Sequence, residues 1–281
     1  MVNEHMPQST VPSLVDRARF YLRRKLVKHV SVSDGEHDYA FRCESGLDVV
    51  RAKTLLIKER GTVQWIRDYV KPGDVFYDIG ANIGIYTPLA AKRVGPGGRV
   101  YAFEPHVVNV HTLMHNIKAN NLAGVVQVMS CALNDREGFF DFNYYSDVSG
   151  SSNSQLNESR DGTEHEFRPV LTEHKQATTV DALIASGTIL PATHIKLDVD
   201  GNEMLILRSM TQLLSGPSAP ATVHVEVNRR YRDELFQFMQ ERSFALLLRH
   251  YTLEGEAKLR AGAAAEEISY NAVFQREAAR R

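Results

Sequence analysis

Apolar positions along this chain follow two rhythms, and the changes of rhythm predict strands and helices in alternation. Val75-Phe76-Tyr77-Asp78-Ile79 is a short apolar run that ends at glycine, as a strand buried on both faces does. Tyr86 to Val94 reads as a helix, with Pro88 tolerated in its first turn. Arg99 to Phe103 is the next strand, and Val110, Leu113, Met114 and Ile117 mark the helix after it. Val125 to Ser130 is the third strand. Strands linked by single helices are the signature of parallel crossovers, hence of a doubly wound sheet.

The middle and the end break the alternation. Phe139 to Tyr145 alternates as a strand, residues 146 to 165 are rich in Ser, Asn, Asp and Gly, and Phe167 to Thr179 returns as a strand. This predicts an inserted hairpin over about 138–178 with a mobile tip, and Ser149 to Asn153 as part of an acceptor lid. The alternation then resumes. Val180–Ser186 is a helix, His194–Val199 a strand, Glu203–Leu214 a helix, Thr222–Asn228 a strand and Asp233–Arg242 a helix. Phe244–Tyr251 and Ser269–Gln275 read as a closing antiparallel pair with a helix-poor joint. A further helical stretch runs from Gly61 to Val70. Near the start, Leu14, Ala18, Leu22, Leu26 and Val30 recur every fourth position, opposite Arg17, Arg19, Arg23, Arg24 and Lys28. Residues 1–45 therefore read as an N-terminal helical extension and 46–281 as the main domain. The basic helix face is taken as solvated, with peripheral contact to an anionic membrane or a partner as the alternative.

Composition narrows the classes. The net charge is −1, from 33 basic and 34 acidic residues, which disfavours a surface built to track nucleic-acid phosphates. The two cysteines, Cys43 and Cys131, make neither a disulfide scaffold nor a zinc site, and a cytoplasmic setting is expected. No signal peptide or membrane span is expected. The sequence leaves the oligomeric state open.

The chemistry concentrates after the first strand, in Asp78-Ile79-Gly80-Ala81-Asn82-Ile83-Gly84. Glycines admit a sharp turn and a close ligand, and the following helix start offers unpaired N–H groups. A dinucleotide enzyme would read G-x-G-x-x-G here, to admit a pyrophosphate. This chain has Asn82 at the second glycine position and an acid, Asp78, two residues ahead of Gly80. A carboxylate repels a pyrophosphate but suits the ammonium group of S-adenosylmethionine. Glu104, twenty residues beyond Gly84 at the end of the second strand, is placed to accept ribose hydroxyls. Two later strands each alternate apolar and polar residues. Lys196, Asp198 and Asp200 share one face, as do His224, Glu226 and Asn228, which predicts a polar cleft. An acceptor hydroxyl needs a base. His224 has the best-suited ordinary pKa, and Asp198 and Glu226 are the alternatives for that role or for holding Mg²⁺.

These residues resemble the FkbM family of methyltransferases. The likeness is carried by Lys71-Pro72-Gly73-Asp74, DIGANIGIYT at 78–87 and AFEP at 102–105. It continues through Cys131-Ala132-Leu133 with Asp135, Gly150-Ser151-Ser152 and Thr179-Val180-Asp181-Ala182-Leu183. Its last motif is IKLDVDGNE at 195–203, with Asp200 where the family has Glu. The resemblance implies a class I methyltransferase (Rossmann-like) α/β fold with a seven-stranded, mostly parallel sheet. It also implies S-adenosylmethionine as cofactor and O-methylation of a small molecule, polyketide, saccharide or glycolipid. The cofactor contacts expected are Asp78, Gly80, Ala81, Asn82, Gly84, Tyr86, Thr87, Glu104, Pro105, Cys131, Ala132 and Asp198. An NAD(P)-linked oxidoreductase and a non-catalytic cofactor-binding scaffold are the competing readings.

Overall fold

The computed structural model describes residues 13–160, 165–265 and 268–277. The chain opens with α1 (Leu14–Leu26), β1 (Lys28–Ser33), β2 (Asp38–Cys43), α2 (Gly46–Thr54) and α3 (Arg60–Tyr69). The alternating region follows as β3 (Val75–Ile79), α4 (Thr87–Val94), β4 (Arg99–Phe103), α5 (Val107–Ala119) and β5 (Val126–Met129). The insertion holds β6 (Ala132–Leu133), β7 (Gly138–Tyr144), β8 (Gln155–Leu156) and β9 (Leu171–Thr178). Next come α6 (Val180–Ala185), β10 (His194–Leu197), α7 (Glu203–Ser209), α8 (Thr211–Ser215), β11 (Thr222–Val227) and α9 (Arg232–Glu241). The chain closes with β12 (Phe244–His250), α10 (Leu253–Arg260) and β13 (Tyr270–Arg276).

The main sheet has seven strands in the order β12-β13-β11-β10-β3-β4-β5. Pairings from β11 to β5 are parallel, and β13 runs antiparallel to both β11 and β12. This is the class I methyltransferase arrangement that the sequence predicts. The sheet's two faces carry separate cores. Tyr77, Ile79, Ile195, Leu197, Val223, Val225 and Val227 pack with α6 to α9. Phe76, Val100 and Ala102 pack with α2 to α5 and the β1–β2 hairpin.

Several local expectations are corrected. Lys28 and Val30 leave the N-terminal helix and enter β1, whose partner β2 lies against α5. Of the α1 stripe, Leu14, Ala18 and Leu22 are exposed alongside Arg17 and Arg19 rather than packed on the core. The predicted helix 203–214 splits at Met210 into α7 and α8. The joint between β12 and β13 is not helix-poor, for α10 fills it, started by a Thr252 hydroxyl that accepts from Gly255 N. In the insertion, β7, β8 and β9 join β6 in a separate four-stranded sheet.

One turn fixes how the main sheet meets the site. Gly80 has φ +77°, and a Cβ there would lie 1.8 Å from the Asp198 carbonyl oxygen. The ends of β3 and β10 can close together only because residue 80 has no side chain. Gly80→Ala combines a left-handed strain of about 1–2 kcal/mol with a backbone clash. Urea unfolding should show a loss of at least about 2 kcal/mol, and an unchanged midpoint would refute this packing.

Candidate functional site

The cleft opens at the carboxyl ends of β3, β4, β10 and β11, where open α/β sheets place their ligands. Its floor is the loop after β3, and every backbone N–H from Gly80 to Gly84 is already used. Gly80 and Ala81 both donate to the Phe103 carbonyl at 3.0 Å, and Gly84 donates to the Ala81 carbonyl at 2.8 Å. Asn82 N donates to Glu104 Oε2 at 2.7 Å, and Ile83 N to Asn82 Oδ1 at 2.9 Å. This loop has no N–H left for a pyrophosphate.

Glu104 is buried at the end of β4 and also accepts from His106 N at 2.9 Å. Burial outweighs these donors and pushes its pKa up to about 7. It lines the cleft with Gly80, Ala81, Asn82, Tyr86 and Pro105. Beside it lies a smaller apolar pocket formed by Phe103, Cys131, Ala132, Leu133, Phe142 and Ile206. Cys131 thus sits against this pocket, and burial raises its thiol pKa.

Asp78 and Thr87 stand elsewhere than the sequence suggests. Asp78 is fully buried behind the floor, accepting from Thr87 Oγ1 at 2.5 Å, and neither residue lines the cleft. Gly84 likewise packs inward, where a Cβ would lie 2.4 Å from Leu113 Cδ1. The charge of Asp78 is answered by Lys196, itself 1% exposed. Lys196 Nζ lies 3.5 Å from Asp78 Oδ1 and 3.4 Å from Asp198 Oδ2. Burial alone would lower the Lys196 pKa, but Asp198 and Asp78 drive it upward. Burial would raise Asp198, and Lys196 holds it below the usual carboxylate range. Lys196 and Asp198 share the cleft wall with Glu226 and Asp200, and Asp78 is the member of this triad that stays behind it.

His224 is not a base in the cleft. It is completely buried one strand repeat behind Glu226, covered by α3, with its ring 4.9 Å from that of Trp65. Its Nε2 lies 2.9 Å from Thr62 Oγ1, and its Nδ1 is buried without a hydrogen-bond partner. Burial lowers its pKa to about 3, so the ring is neutral and a poor proton acceptor. Glu226 does line the cleft. Burial, then Asp198, Glu203 and Asp200, raise its pKa well above the usual range. The Mg²⁺ alternative gains no support. Among the described residues no three His, Cys, Asp or Glu side chains gather as a metal site would, and the Asp198 carboxylate already faces Lys196.

The insertion supplies part of the cleft wall. Asn82 Nδ2 donates to the Ser151 carbonyl at 2.8 Å, and Asn109 Nδ2 to the same oxygen at 3.1 Å. Arg51 reaches the Gly150 carbonyl at 2.7 Å, and Ser149 is buried against Thr112. Asn153 N donates to Asp200 Oδ2 at 3.0 Å. Ser151 to Ser154 line the cleft, whereas Ser149 faces α5. Residues 161–164 of the expected loop lie outside the described residues.

Sequence reasoning missed Arg51, Lys58 and Glu59 on one side of the cleft and Thr252 and Asn271 on the other. Asn271 faces Glu226 across the β11–β13 pairing, a register no local pattern announces.

The triad should be the most sensitive point. Lys196→Met leaves two carboxylates without their buried cation, and such a break costs about 3–5 kcal/mol. Chemical unfolding of this variant should show that loss, and wild-type stability would contradict the assignment.

The Methyltransferase FkbM domain matches residues 78–246. The 31-O-demethyl-FK506 methyltransferase FkbM of Streptomyces tacrolimicus is 39% identical over 79 residues, 28% of this chain and 29% of that protein. The hexuronic acid methyltransferase AglP of Haloferax volcanii is 22% identical over 156 residues, 56% of this chain and 58% of that protein. The chain thus spans under a third of the first relative and just over half of the second. Among solved structures, a SAM dependent methyltransferase from Aquifex aeolicus aligns over 81% of this chain and 95% of its own, with 11% identity and a TM-score of 0.42. With its family domain covering more than half of its length, this chain belongs to the FkbM methyltransferase family.

Proposed function

We propose that this chain is an S-adenosylmethionine-dependent O-methyltransferase acting on a hydroxyl of a small molecule or saccharide. The observation that carries the reading is the floor loop, whose N–H groups are all spent internally while Glu104 stands at the end of β4. A phosphate-bearing dinucleotide needs free loop donors, and a nucleoside joined to an amino acid does not. The residues fit that nucleoside. Glu104 would accept the ribose hydroxyls, the apolar pocket beside Cys131 and Ala132 would hold the adenine, and Asp198 with Asn82 would face the amino-acid end. When bound, the cofactor supplies a methyl carbon activated by a sulfonium centre.

The chain's own part is to orient the acceptor and manage one proton. Alignment of the two reactants is worth several powers of ten in rate. Glu226, at the far end of β11, takes over the role that the sequence gave first to His224. Its raised pKa makes it a stronger base than an ordinary carboxylate, as a group that accepts a proton from an alcohol needs to be. The name of one relative, which acts on a 31-O-demethyl compound, supports a hydroxyl acceptor, and that of another, a hexuronic acid methyltransferase, supports a saccharide as acceptor. A cytoplasmic setting is supported by two free cysteines. Among the described residues no helix is long and apolar enough to cross a membrane.

Labelled methyl transfer to a panel of hydroxylated metabolites and saccharides tests the reading. Glu226→Gln should lower kcat/KM by about 10²–10⁴ while leaving S-adenosylhomocysteine affinity nearly unchanged. A base must be deprotonated, so wild-type kcat/KM should rise with pH on a limb displaced above the usual carboxylate range, and the variant should lose that limb. Full activity in Glu226→Gln would remove Glu226 from the role.

A further inference from the structure

A second cavity of about 430 Å³ lies next to the cleft, between residues 57–64 and 249–256. Its charge is opposite to that of its neighbour. The cleft gathers Glu59, Glu104, Asp198, Asp200 and Glu226, whereas the groove is lined by Lys58, Arg60 and Arg249, with His250. The groove's acidic residue, Glu256, has its carboxylate 3.6 Å from Arg260. His250 Nε2 is buried there without a hydrogen-bond partner. A Cβ on Gly61 would lie 2.0 Å from His250 Cγ, so α3 meets β12 through the His250 ring, which takes the space that a side chain at residue 61 would need. The two cavities are neighbours that share a wall, because Lys58 lines both and Leu253 N, next to the cleft residue Thr252, donates to the Lys58 carbonyl at 3.0 Å.

We propose that this groove binds an anionic group, a phosphate or carboxylate, carried by the acceptor whose hydroxyl enters the cleft. The inference rests on the methyltransferase reading for the cleft and adds the acceptor's charge. The Arg60 and Arg249 guanidinium groups, the second stacked 4.4 Å from the centre of the Tyr270 ring, are suited to oxyanions, since each presents a planar fork of donors to two oxygens. An acceptor so anchored is held by charge at one end and presents its hydroxyl at the other.

The test is calorimetry on the full chain saturated with S-adenosylhomocysteine, titrated separately with inorganic pyrophosphate and with succinate. At least one anion should bind, and added salt should weaken it. Binding of pyrophosphate alone identifies a phosphate, and of succinate alone a carboxylate. The double variant Arg60→Gln/Arg249→Gln should weaken anion binding by about tenfold or more, with S-adenosylhomocysteine affinity and Tm unchanged. Failure of both anions to bind overturns the groove proposal, as does equal binding to a folded double variant. Failure of S-adenosylhomocysteine to bind while an anion still does overturns the cofactor reading instead.

Discussion

The rest of the site depends on a buried ammonium group balancing one buried carboxylate and one on the cleft wall. Lys196 lies near the end of β10 with Asp78 on one side and Asp198 on the other. Charges drawn out of water are stable only in company, so the positions of the three fix one another. The neighbouring backbone obeys the same demand. The Asp198 carbonyl presses on Gly80, and the turn at Gly80 sends the next N–H groups into the Phe103 carbonyl and the Glu104 carboxylate. A cleft floor without spare donors follows from that closure.

The walls come from parts of the chain that are distant in sequence. The family match covers 78–246, yet Arg51, Lys58 and Glu59 precede it and Thr252 and Asn271 follow it. The insertion ties the two regions together. Ser45 Oγ donates to the Ser149 carbonyl and Arg51 to the Gly150 carbonyl, so α2 and the 149–153 loop form one wall. Gly150, at φ +81°, lets that loop settle onto the start of α2, where a Cβ would lie 2.5 Å from Asp48 Oδ1. The cleft thus combines residues of the family motifs with others that lie outside the matched segment.

The sheet was legible because period and punctuation agree there. Apolar runs such as Val75–Ile79 end at glycine or at an acid, and helices of fixed length return the chain. The alternation in β10 and β11 was also legible, but its meaning was not. Lys196, Asp198 and Glu226 reach the cleft wall, while His224, on the same face, lies under Trp65 of α3. Periodicity assigns a face, and only packing says which stretch of that face is covered. Asp78 shows the same limit. Its place in the motif is local information, but its partner Lys196 lies 118 positions later in the chain. The β1–β2 hairpin and α10 were missed because their apolar positions are few and satisfied by distant elements.

The central claim is that the cleft recognises a nucleoside bearing an amino acid and excludes a phosphate-linked one. Parallel calorimetric titrations of the full chain with S-adenosylhomocysteine and with NAD⁺ test it most directly. Saturable binding of S-adenosylhomocysteine with no heat from NAD⁺ is the expected result. Binding of NAD⁺ with none of S-adenosylhomocysteine would contradict the account at its base.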